Sequence, residues 1–153
     1  MGQPLQDSPS FKSWLGLSTL IPTNERQKMK AVRINTDGTK TIVEFTDETC
    51  YDTLSMAVGG MIECVSLHDK IGAPDMWLNE EGKIIELNQN PIATALWVDM
   101  YDLTDVILGD VIITGGADDE GRTTGLSEEQ VEFFISYDKV IWNTALPGFI
   151  SFS

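Results

Sequence analysis

The chain has 153 residues, 42% hydrophobic content and a formal net charge of −14. One domain with its own core fits that length, and the composition excludes wholesale disorder. So acidic a body repels phosphate backbones, which excludes plain nucleic-acid binding.

No apolar run approaches the ~18 residues that span a bilayer, so no membrane partner is expected. The start, Met1-Gly2-Gln3-Pro4, has neither the layout of a secretory signal nor, with Gln6, a myristoylation pattern. An intracellular protein is expected. Cys50, Cys64 and the single His68 cannot furnish four zinc ligands, and free thiols are expected over a disulfide.

Residues 1–28 read as an N-terminal arm. Pro4, Ser8, Pro9, Ser10, Pro22 and Asn24 are turn and linker residues around the apolar segment Phe11–Ile21. That segment needs a surface to lie on, its own domain or a neighbour, and an arm held in this way is a route to a homo-oligomer. The core domain is placed at 29–136 and a C-terminal apolar tail at 137–153, read as a strand.

The core opens with two β-rich runs, Ala31–Ile34 and Lys40–Phe45, around Asp37-Gly38, a hairpin signal. Residues 48–58 read as a helix with Leu54, Ala57 and Val58 on one stripe and Gly59-Gly60 as its stop. Met61–Leu67 alternates with period two, a half-buried strand with Cys64 toward the core. Met76–Ile85 reads as a second hairpin turning at Glu81-Gly82.

Asn90-Pro91 opens the next helix: Asn caps, and Pro suits the first helical position. Ile92, Ala95, Leu96 and Met100 line one side of it. Val111–Thr114 is a central strand by its β-branched content. Ser127-Glu128-Glu129-Gln130 is a capping box, and Val131, Phe134 and Ile135 give the last helix its buried face. The order ββ-α-ββ(β)-α-β-α is an α+β fold: a mixed or antiparallel sheet with two or three helices on one side.

Five pieces carry a family resemblance: Lys30–Ile34, Gly60–Val65, Met76–Lys83, Asn90–Trp97 and Gly109–Gly121. From Met29 to Ile135 the chain resembles a family of small domains of unknown function from bacteriophages and mobile elements. The resemblance implies no reaction and no catalytic residue. It implies an accessory protein acting in the host cytoplasm.

The most specific run is Val111–Gly121, where a buried strand stops at two glycines and then three acids. Thr114, Gly115 and Gly116 suit a backbone cradle for an anion, though without the Gly-Lys-Ser/Thr of a P-loop. Arg122, the nearby base, either holds an anionic ligand or pairs with Asp119 or Glu120. Asp118, Asp119 and Glu120 lack the alternate spacing of a calcium loop, so no metal is expected. His68-Asp69 lacks a nucleophile in a strained elbow, so no catalytic residue is assigned. Trp77 on its hairpin, and Trp14 on the arm, are candidate interface anchors.

Between Asp99 and Asp138 eleven acids face one base, Arg122. Such a stretch serves solubility or offers an acidic face to a basic partner, including mimicry of DNA's charge. The expected function is non-enzymatic binding without a cofactor. The protein occupies a host protein, in the manner of a counter-defence factor, through Thr114, Gly115, Gly116, Asp118, Asp119, Glu120, Arg122 and Trp77. Three alternatives stand beside it: a trap closing the Thr114–Gly121 loop on a small nucleotide-like ligand, a structural or virion-associated oligomer, and a hydrolase using His68 and an acid.

Overall fold

In the computed structural model, residues 28–144 are described. The expectations for the arm, for Trp14, and for the tail beyond residue 144 lie outside the described residues. Strands β1 (Met29–Ile34) and β2 (Lys40–Phe45) form the first hairpin, turning through Gly38 with Asn35 N–H bonded to Thr39 O at 2.9 Å. Helix α1 (Cys50–Val58) stops at Gly59, whose φ of 80° is the left-handed conformation that favours glycine. Strands β3 (Ile62–Ser66) and β4 (Asp75–Asn79) pair antiparallel. Helix α2 (Pro91–Tyr101), strand β5 (Val111–Thr114) and helix α3 (Glu128–Ser136) complete the set.

The five strands form one antiparallel sheet in the order β2-β1-β5-β4-β3. The fold is α+β. β5, buried at all four positions, lies at the centre because both its faces are covered. On one face Val32, Ile34, Met76, Val111 and Ile113 pack against Ala95 and Leu96 of α2 and Val131 and Phe134 of α3. On the other, Ala31, Phe45 and Ile112 pack against Leu54, Ala57 and Val58 of α1. Two helices thus share one side and the third takes the other.

Both helix starts are built as their sequences specify. Asn90 Oδ1 accepts from Ala93 N–H, and the Ser127–Gln130 box is closed in both directions. Asn90 does more than cap. It is fully buried, and its Nδ2 donates to Ile34 O and Gly109 O, each at 2.9 Å, tying α2 to β1 and to the turn before β5. Buried polar Thr94 likewise accepts from Ile107 N–H. These ties bury the whole of Pro91–Leu96, so the expected one-sided stripe is broader than its periodicity. At the other end of the fold, Lys40 Nζ donates to Ile135 O and Tyr137 O, where the last carbonyls of α3 lack helical partners.

Four expectations are corrected. Residues 83–85 form no strand: Gly82, Ile85 and Leu87 donate to Asn79, Glu81 and Gly82 in successive turns, which leaves Ile84 78% exposed. The partner of β4 is instead β3, and Asn79 Oδ1 accepts from Glu81 N–H to start the turns. Cys64 does not face the core. It pairs with Trp77 on the sparsely covered flank of the α1 face, at the sheet edge, and as a residue is exposed. Ile135 is exposed, and Tyr137 takes the buried place beside Phe134. Residues 137–144 form no strand. They strap across the start of α2 through Ile141 N–H to Pro91 O and a two-way bond between Gln89 and Asn143.

Candidate functional site

The site lies where the end of β5 meets α1. Thr114, the last residue of β5, is fully buried. Its Oγ1 accepts from Trp77 Nε1 at 2.9 Å and donates to Gly115 O. This pins the indole across the sheet, with the ring half-buried. Gly115 follows because nothing larger fits: a Cβ there would run into Gly125 O and Thr124 Oγ1. At Gly116 a Cβ would lie 2.9 Å from Ala73 O. The two glycines therefore mark close backbone approach.

Beyond them the chain doubles back. Ala117 and Thr123 form an antiparallel bridge, and Asp118 organises the tip. Asp118 Oδ1 accepts from Glu120 N–H and Arg122 N–H, each at 2.9 Å, and Oδ2 accepts from Arg122 Nε at 3.3 Å. The Arg122 backbone N–H, then Glu120 N–H and the Arg122 guanidinium, hold the Asp118 carboxyl below its ordinary value. Arg122 also pairs with Glu120 and feels Asp47, and these carboxylates raise its own pKa. Of the two expected partners Glu120 is used. Asp118 takes the place expected of Asp119.

Six of the loop's amides turn inward. Those of Gly115, Asp118, Gly121 and Thr124 bond to Thr124 O, Arg122 O, Asp118 O and Gly116 O. With the amides of Glu120 and Arg122 on Asp118, these donors are spent within the loop rather than offered to an anion.

Between this loop and α1 lies an open groove of about 350 Å³. Trp77, Leu54 and Ile62 make it apolar, and Tyr51 and Asp47 stand on its α1 side. Arg122 and Thr123 close the loop side, and Cys50 lies beside Thr123. The structure thus brings Trp77 and Arg122 into one groove, with Thr114 behind the indole. Gly115 and Gly116 shape the backbone rather than the lining, while Asp118 and Glu120 border it through Arg122. Asp119 is exposed at the loop tip.

Asp47, Tyr51, Ile62 and Thr123 were not singled out from sequence, while Cys50 entered only as a free thiol and Leu54 only as a core residue of its helix. Only the acids Asp47 and Glu48 just before α1 and an outward Tyr51 hinted at them, and nothing local ties that helix to residue 122.

The thiols are not set up as nucleophiles. Burial, and then Asp75, pushes the Cys64 thiol up to about 12: the residue is exposed, but its sulfur is partly shielded beside that carboxyl. Burial also raises Cys50. Both cysteines are free. His68 is exposed, its ring edge-on to Tyr101 at 6.1 Å. Among the described residues no group of three or more His, Cys, Asp or Glu side chains is placed to hold a metal ion, and no helix is long and apolar enough to cross a membrane.

Residues 29–139 match the family model described as Domain of unknown function (DUF3846). No curated protein and no solved structure matches the chain.

Proposed function

The chain belongs to the DUF3846 family, and on that footing we propose that it is a non-enzymatic acidic binding protein of a phage or mobile element. It acts by occupancy: it covers a host protein in the host cytoplasm, as a counter-defence factor would, and converts nothing. Its working form is a homo-oligomer.

The carrying observation is how the bases are used. Arg33 pairs with Asp110, Lys70 and Lys139 with Asp99, Lys83 with Asp105, and Arg122 with Asp118 and Glu120. Lys40 is spent on the carbonyls that end α3. Among the described residues no ion pair reaches Asp47, Glu48, Asp52 or Asp119, and all four are exposed beside the groove or on its flanking elements. The net charge of −14 gives an outward field, and these four acids contribute to it around the groove's aromatic surface. The inward-turned loop amides speak against the trap.

The test is capture from infected host lysate with the tagged full chain, identified by mass spectrometry. A parallel capture uses a variant with Asp47, Glu48, Asp52 and Asp119 changed to Asn, Gln, Asn and Asn. A host protein enriched by the wild type and lost with the variant supports the reading. Repeated turnover of a substrate by the purified chain refutes it.

A further inference from the structure

Resting on the occupancy reading, we propose that the groove between α1 and the 117–123 loop receives an Arg or Lys side chain from an extended basic segment of the partner protein. The apolar walls take the aliphatic stem, Tyr51 and Trp77 take the cation's face, and Asp47 with the loop carboxylates takes its charge.

Three observations converge on that occupant. The first is shape and chemistry. A groove of about 350 Å³ sits at the small end of ligand sites, enough for a long side chain and part of its backbone. Its apolar surface comes from Leu54, Ile62 and Trp77, which suits the methylene stem of Lys or Arg while the head stays in water.

The second is the aromatic pair. Trp77 is locked by its bond to Thr114, so its face is presented without ordering cost on binding. Tyr51 is 58% exposed on the rim. A guanidinium over such a ring gains about 0.5–2 kcal/mol, more as water leaves.

The third is charge. The chain has already put a guanidinium of its own there: Arg122 draws on Glu120, Asp118 and Asp47 together. Three carboxylates around one cation leave the rim negative, and exposed Glu48, Asp52 and Asp119 add to it. A second cation relieves repulsion that Arg122 only partly cancels. An acidic or neutral peptide gains nothing of the kind, which sets the specificity.

The test is a ¹H–¹⁵N titration of the full chain with an acetylated, amidated (Arg-Ser-Leu)₃ peptide, and with its (Glu-Ser-Leu)₃ counterpart. The expected result is saturable shifts of the Trp77 indole N–H and of the Tyr51 and Thr123 amides with the Arg peptide only. Affinity should fall at least about tenfold between about 50 mM and about 500 mM NaCl, and by a similar factor in Asp47→Asn and Tyr51→Ala, both at solvent-facing positions. Shifts that map elsewhere, equal binding of the Glu peptide, or no saturable shift overturn the proposal. So does a groove that takes peptide only once residues 1–27 are removed, for it then belongs to the chain's own segment. None of these touches the occupancy reading, which falls instead if a captured host protein binds with salt-independent affinity.

Discussion

Trp77 and Thr114 sit on adjacent strands, and the indole Nε1 donates to the threonine Oγ1 at 2.9 Å. One bond therefore connects the groove's largest aromatic surface to the last residue before the glycine pair. Trp77→Phe keeps a ring but removes the donor, leaving a buried hydroxyl with one partner fewer. The expected cost is about 1 kcal/mol, with a further contribution from lost area, read as a lower urea midpoint at unchanged slope.

Asn90 ties the start of α2 to β1 and to the turn before β5 from a fully buried position. Asn90→Ala removes the α2 cap and strands the Ile34 and Gly109 carbonyls in the interior. A loss of about 3 kcal/mol or more is expected from a missing cap plus unsatisfied buried groups. Asn90→Asp restores the cap acceptor but aims a carboxylate at those two carbonyls, so it should recover little. Chemical denaturation of the three proteins at neutral pH decides this.

How much was legible follows the range of the interaction. Asp37-Gly38, Asn90-Pro91, Gly59 and the Ser127–Gln130 box were readable because their partners lie within a few residues. Val111–Thr114 was readable because a short β-branched run without polar alternation suits a strand covered on both faces. Lys83–Ile85 misled because two β-branched residues after Glu81-Gly82 carry the pattern of a returning strand. What decides otherwise is β3, which already occupies that side of β4 and lies earlier in the chain. Cys64 and Ile135 misled because alternation and helical period name a face but not how far its cover extends. The groove escaped because Tyr51 and Arg122 meet only after the sheet has formed, while Trp77, Thr114 and Arg122 were found as separate features.

Acid should weaken the fold through Asp99. Burial opposes its charge, but the Tyr137 hydroxyl at 2.9 Å and Lys70 and Lys139 outweigh it and hold the carboxyl below its ordinary 3.8. A depressed folded-state pKa contributes stability that is fully present above the unfolded value and is lost as pH falls through the folded one. The advantage of wild type over Asp99→Asn should thus be constant from neutral pH down to about 5 and shrink below about 4. Thermal unfolding of both proteins across that range gives the comparison. A gap that stays constant to the lowest pH would show that the carboxylate is not the responsible group.

Gly115 tests the close approach directly. Gly115→Ala forces a methyl group against Gly125 O and the Thr124 side chain, and the backbone must move because neither main chain can yield freely. The expected loss is about 2 kcal/mol, together with shifted amide resonances for Thr123, Thr124 and Arg122. A variant as stable as wild type would mean that the loop is free to move away from β5.

The central claim is that an uncompensated acidic surface holds a host protein without transforming it. Calorimetric titration of the full chain with its captured host partner, at about 50 mM and about 500 mM NaCl, tests this most directly. The expected Kd rises at least about tenfold with salt, because a Debye length near 14 Å shrinks to about 4 Å. The Asp47→Asn, Glu48→Gln, Asp52→Asn, Asp119→Asn variant should start near the weaker value and respond less. A Kd unchanged by both salt and neutralisation would contradict the claim.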